Sequence, residues 1–186
     1  GVADARDRVL RLIGDPETRY REDPVRMLRA VRFAAKLDFS LHPDTEAPIH
    51  RLASLLEGMP PARLFDEIVK MMLTGSASAA LDLLVRLELL PHLLPDVASA
   101  LAEMPEGPGT RLLRLGLAGT DARVSEEKSV APPFLFAVLL WPAILRAAGT
   151  PEGPLPSDLQ LLHSACDTVF AVQLRRVAIP RRFSLP

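Results

Sequence analysis

Cysteine is nearly absent. Cys166 is the only one in 186 residues, so neither a disulfide framework nor a multi-cysteine zinc site organises this chain. Aromatic residues are scarce at 5%, while Leu, Ala and Arg are abundant, a mixture that suits helices better than sheets. Net charge is nearly absent too: 22 Lys and Arg stand against 23 Asp and Glu, giving −1. Bulk charge therefore carries no case for nucleic acid, and such a case must rest on where the charges sit. Long hydrophobic runs are also missing. The longest uncharged stretch, Ser129 to Leu145, contains Pro132, Pro133 and Pro142 and is shorter than the ~20 residues that span a bilayer. It reads as a buried helix with a proline start.

Gly1-Val2-Ala3-Asp4 lacks the basic and apolar regions of a signal peptide. The end, Arg181 to Pro186, carries no stop signal of its own, and both ends are expected to be cuts through a longer polypeptide. With 48% apolar and 24% charged residues, general disorder is excluded. The length fits one ordinary domain or two small helical ones, burying roughly two-thirds of the unfolded surface.

Apolar residues recur at helical spacing throughout, and no bounded β alternation stands out. The predicted helices run over 4–13, 23–37, 44–57, 60–73, 78–90, 91–104, 111–117, 132–148 and 157–177, with Gly14-Asp15-Pro16 opening a further turn. Asp23 is the expected N-cap of the second long helix, with Pro24 in its first position. Pro105 to Gly109 and Thr150 to Pro156 read as linkers. The expectation is an all-α fold with two parts, 1–103 and 104–186.

The charges are unevenly placed. Between Arg19 and Lys36 six cations face two acids, Glu22 and Asp23. From Glu88 to Gly107 there are four acids and no Lys or Arg, and from Arg175 to Arg182 four cations and no acid. On a helical wheel Met27, Leu28, Val31, Ala34 and Ala35 share one face. Arg26, Arg29, Arg32 and Lys36 share the other, with Glu22 and Phe33 among them. Cations three and four apart repel by a few tenths of a kcal/mol per pair. Two explanations are open: an anionic partner such as a triphosphate or an RNA backbone, or pairing with acids elsewhere in the fold. Phe33 has the same two readings, stacking on a base or packing under a neighbouring element.

Asp23 and Arg26 lie three apart, so their side chains can stand together at the helix start. A carboxylate beside a guanidinium offers an acceptor next to a donor. Adenine and cytosine present an amino donor beside a ring-nitrogen acceptor, whereas guanine and uracil present the reverse, so such a pair would take A or C and leave G or U unpaired. An ordinary intrahelical salt bridge is the competing reading.

The run from Gly14 to Leu37, GDPETRYREDPVRMLRAVRFAAKL, closely resembles the neck of the bacterial class II nucleotidyltransferases, the family of the poly(A) polymerases and CCA-adding tRNA nucleotidyltransferases. It includes a Glu-Asp-x-x-Arg motif as Glu22, Asp23 and Arg26. The resemblance implies that Asp23 and Arg26 pair with the incoming base while Glu22 helps orient Arg26, and that Arg29, Arg32 and Lys36 meet phosphate or RNA. Ala62 to Lys70, ARLFDEIVK, resembles the following motif, a bracing helix, and implies supporting roles for Arg63, Glu67 and Lys70. Asp121-Ala122-Arg123, Pro133 to Ala137, Trp141-Pro142 and Leu174 to Arg182 resemble the poly(A) polymerase body rather than a CCA-adding enzyme.

The resemblance covers nearly the whole chain and implies a neck over 1–103 and a body over 104–186. It implies an adenylyltransferase that adds AMP from ATP to RNA 3′ ends without a template, in the cytoplasm and not on a membrane. The family's catalytic head, with its Gly-Ser loop and paired Asp residues for Mg2+, is expected to precede this chain on the same polypeptide. No Asp-x-Asp pair occurs in the sequence. No catalytic or metal-binding residue is therefore assigned to this chain, and alone it is expected to be inactive. The alternatives are a CCA-adding enzyme and a stand-alone helical RNA-binding or scaffold module. His42, His50, His92 and His163 are scattered, and Cys166 and Met71-Met72 are expected in the core.

Overall fold

The computed structural model describes residues 1–151 and 158–179. Helix α1 is short, Val2–Arg6. The helix predicted to run on to Ile13 ends there because Arg8 takes the left-handed conformation, φ 55°, which a right-handed helix cannot continue. The chain enters instead a two-residue strand, β1 (Val9–Leu10). It pairs in parallel with β2 (Ser40–Leu41). Ser40 N–H donates to the Arg8 carbonyl at 2.9 Å and His42 N–H to that of Leu10 at 3.0 Å, so the lost helical bonds are replaced by these.

Asp15 caps α2 (Pro16–Glu22), accepting from the Thr18 amide at 2.8 Å and hydroxyl at 2.6 Å. Both bonds favour the ionised form and hold the Asp15 carboxyl below its usual range. The main amphipathic helix, α3, is Val25–Leu37. Asp23 before it is extended, Pro24 is already helical at φ −57°, and the Asp23 carboxylate accepts the Val25 amide at 3.3 Å. The expected stripe of Met27, Leu28, Val31, Ala34 and Ala35 is buried.

Helix α4 (Pro43–Leu52) starts at His42, whose Nδ1 accepts the Asp44 amide at 3.2 Å. It stops short of the predicted Glu57, and a 3-10 turn over Ala53–Gly58 completes it. Then follow α5 (Pro61–Met72), α6 (Ala77–Arg86), α7 (Leu90–Leu93) and α8 (Pro95–Glu103). Glu88, left-handed at φ 57°, ends the stretch predicted to reach Leu90. Helix α9 (Pro108–Ser125) is longer than predicted, and α10 (Pro132–Ala147) and α11 (Leu159–Arg176) follow. Arg181, Arg182 and most of the second linker lie outside the described residues. No helix is long and apolar enough to cross a membrane among those described.

The fold is all-α apart from the β1–β2 pair. Helix α3 packs on α5 and α6, α6 on α9, and α10 on α8, α9 and α11. One apolar cluster runs from Tyr20 to Ile179. Phe65 of α5 and Phe136 of α10 stack at 5.3 Å. Helices α9 and α10 approach closely at Gly116, where a Cβ would stand 2.6 Å from Val138 Cγ1. Ser76 makes no side-chain cap for α6. Asp121 of α9 does this from across the interface, accepting the Ala77 amide at 2.6 Å and that of Ser78 at 3.0 Å. Buried Gln173 of α11 donates to the Leu93 carbonyl at 2.9 Å.

Candidate nucleotide and RNA interface

The polar face of α3 is the centre of the site. Its arginines divide into those held by acids and one that is not. Glu67 of α5 is only 5% exposed, and its Oε1 stands 3.6 Å from Arg29 Nε and 3.6 Å from Lys70 Nζ. Its Oε2 stands 3.5 Å from Arg32 Nε. A buried carboxylate is tolerated only when opposite charge faces it, and here three cations do. The Arg32 guanidinium also lies 4.5 Å from the centre of the Phe33 ring, a cation–π contact. Pairing with acids elsewhere thus describes Arg29 and Arg32.

Arg26 differs in having no ion pair among the described residues; its buried Nε, like that of Arg32, has no hydrogen-bond partner. The Asp23 carboxylate is half a step away from the expected arrangement. Arg63 Nη2 at the start of α5 donates to Asp23 Oδ1 at 3.1 Å and Oδ2 at 3.2 Å. No ion pair joins Asp23 to Arg26 among the described residues. Glu22 accepts from Arg19 Nη1 at 2.7 Å rather than from Arg26. Lys36 is exposed, with no ion pair among the described residues.

Arg26 and Arg29 line a cleft of about 310 Å³, a size at the small end of ligand sites. One wall is Arg19, Arg26, Arg29, Ala30 and Phe33; the other is Leu10, Arg11, Leu12 and Ile13, and Thr45 lies between. Phe33 is 42% exposed and Ile13 90%. Arginines beside an exposed aromatic ring and aliphatic edges suit a flat, polar ring carrying negative charge nearby. The arrangement brings Arg26, Arg29 and Phe33 together. It sets Asp23 and Arg63 at the helix start and leaves Lys36 at the far end of α3.

The opposite wall was not anticipated from the sequence, because Arg11 to Ile13 were placed inside a helix. Arg8 has no local signal for its left-handed backbone. No Asp-x-Asp pair exists, and among the described residues no group of three or more His, Cys, Asp and Glu side chains could hold a metal. The residues present therefore do not fit a two-metal site.

The fold and cleft define a helical module with a cationic, aromatic-edged face. Residues 38–101, from the end of α3 through most of α8, match the family described as "Probable RNA and SrmB- binding site of polymerase A". The chain is 42% identical to poly(A) polymerase I of Escherichia coli O157:H7 over 99% of its length and 40% of the relative's. It is 44% identical to poly(A) polymerase I of Haemophilus influenzae over 76% of this chain and 31% of that one. A CCA-adding enzyme of Anoxybacillus flavithermus is 36% identical over 56% of this chain and 26% of its own. A solved tRNA-processing enzyme covers 99% of this chain and 56% of its own at 19% identity and a TM-score of 0.48. Over nearly its whole length the chain is similar to poly(A) polymerases I, and over a shorter stretch to CCA-adding enzymes. It spans about two-fifths of the length of the curated poly(A) polymerases it matches.

Proposed function

We propose that this chain is the base-recognition and RNA-holding part of an RNA adenylyltransferase. In this reading a catalytic head on the same polypeptide supplies Mg2+ and joins AMP from ATP to an RNA 3′ hydroxyl without a template. Residues 1–103 form the neck and 104–186 the body. The protein works in the cytoplasm, and this chain alone is inactive.

The observation that carries the reading is the buried, unpartnered Nε of Arg26 on the wall of a cleft edged by Phe33. A buried donor without a partner is costly, and a bound base is the group that would meet it. Asp23, held by Arg63 at the start of α3, is the acceptor in this reading. A base with an amino donor and a ring-nitrogen acceptor satisfies both groups, and guanine or uracil satisfies neither. Arg29 and Arg32 are fixed by Glu67, with their outer guanidinium nitrogens directed to phosphate, and Lys36 extends the positive edge for RNA. Glu22 acts on Arg19 as part of the same wall.

The test is to read the gene upstream of Gly1 for the Gly-Ser and Asp-x-Asp motifs and to assay the encoded polypeptide. Generic RNA should acquire long A tails from ATP. Faithful C-C-A termini on tRNA without A tails would make it a CCA-adding enzyme. Absence of the upstream motifs would leave a non-catalytic RNA-binding module.

A further inference from the structure

The two walls of the cleft belong to different parts of the chain. The wall of Leu10 to Ile13 hangs from the short β1–β2 pair and is tied to α4 by one part-buried bond, Leu12 N–H to Thr45 Oγ1 at 3.0 Å, and by an exposed Arg11–Asp44 pair at 4.0 Å. Thr45 sits in the first turn of α4 and is only 1% exposed. Its carbonyl accepts the Tyr20 hydroxyl at 3.1 Å. Tyr20 is fully buried in α2, one residue from Arg19 of the other wall. Burial pushes the Tyr20 phenol up to about 12, so its hydroxyl stays a donor across the working range. A single buried residue thus bonds to one wall through its side chain and to the helix of the opposite wall through its backbone.

We propose that Thr45 is the positioning residue that sets the width of the base cleft, and through it the choice of nucleotide. This rests on the reading of the cleft as the base site. The hydroxyl has no substitute: in its absence the Leu12 amide is a half-buried donor with nothing to meet, and the wall carrying Ile13 is free to drift from Arg26. Recognition by paired donors and acceptors depends on distance, so a wall displaced by a fraction of an ångström weakens discrimination before it abolishes turnover.

The experiment compares Thr45→Val, Thr45→Ser and Tyr20→Phe in the whole polypeptide that carries this chain, reading kcat and KM for ATP and GTP on an RNA primer. Valine keeps the shape and removes the acceptor; serine keeps the acceptor. Thr45→Val is expected to lower the preference for ATP over GTP by about tenfold, mainly through KM for ATP, with Tyr20→Phe showing a smaller change in the same direction. Thr45→Ser should restore the parental preference. Thr120→Val removes another buried threonine hydroxyl, bonded to Gly116 in α9, and serves as a control for general loss of stability; it should leave preference unchanged. Unchanged preference in Thr45→Val, or an equal loss in Thr120→Val, would overturn the proposal. Arg26→Ala separates this from the reading beneath it. If that variant keeps full preference for ATP, the base site itself is misplaced; if it loses preference while Thr45→Val does not, only the role of Thr45 fails.

Discussion

The face where α3 meets α5 and the interface where α9 meets α10 are built on opposite rules. Between α9 and α10 the contact is apolar and close: Leu113, Leu117, Leu139 and Leu140 are buried, and Gly116 leaves no room for a Cβ against Val138. Between α3 and α5 charge is packed into the interface. Five buried side-chain polar atoms lack a hydrogen-bond partner among the described residues; two of them, Arg32 Nε and Glu67 Oε2, face each other here at 3.5 Å as an ion pair, and a third, Arg26 Nε, lies on the same helix α3. Close apolar packing gives rigidity and a unique arrangement. Unmet polar groups cost stability. One region packs apolar side chains closely, and the other packs charge against charge.

The largest test of that contrast removes a ring from the rigid side. Phe136→Ala deletes a buried side chain stacked on Phe65 and is expected to cost about 3–5 kcal/mol in denaturant unfolding, with nucleotide preference unchanged. A shift in preference would show that the two regions are not separable. Glu67→Gln comes next, since it leaves Arg29, Arg32 and Lys70 facing a neutral group. The cations are partly exposed, so the cost is expected near 2 kcal/mol by urea unfolding, together with a weaker salt dependence of RNA binding if the freed arginines move. Arg26→Ala should change stability by under about 0.5 kcal/mol while lowering the preference for ATP over GTP. A large stability loss instead would make Arg26 a structural residue. Arg114→Ala, which breaks an exposed pair with Asp82, should cost no more than about 0.5 kcal/mol.

A pH experiment sharpens the same contrast away from the cleft. Glu57 accepts from His92 Nδ1 at 2.8 Å and faces Arg176 Nη1 at 3.0 Å, and these bonds lower its carboxyl below the usual value. A depressed folded pKa contributes stability that is present above the unfolded value and lost as pH falls through the folded one. The parental chain should therefore lose more stability than Glu57→Gln between neutral pH and about pH 3, measured by urea midpoints. Equal losses would show that the contact with α11 is without effect on stability.

Much of the helical framework was legible because it rests on local signals. Asp15-Pro16, Asp23-Pro24 and Pro60-Pro61 mark helix starts through capping and fixed φ, and α3 shows its buried stripe by spacing alone. The boundary at Glu88 and the reversal at Arg8 were not legible. Both rest on left-handed non-glycine residues, stabilised by tertiary contacts that no local pattern reports. The charged face of α3 was legible as a cluster, but its division was not. That Glu67, 38 residues beyond Arg29, neutralises Arg29 and Arg32 while Arg26 goes without follows from how α5 lies across α3. The extension of α9 past Leu117 has the same origin, since Asp121 is turned toward α6.

Asp121 has a consequence for how such proteins can be recombined. Its carboxylate caps the start of α6, which in turn packs on the cationic helix α3. A chimera that joins the first 103 residues to a foreign partner inherits a helix with two exposed amide hydrogens at its start. It would be sound only if the newcomer brings an acceptor to the same spot. A join at residue 103 is therefore constrained at a point remote from the charged face of α3, by a carboxylate that reaches back across it.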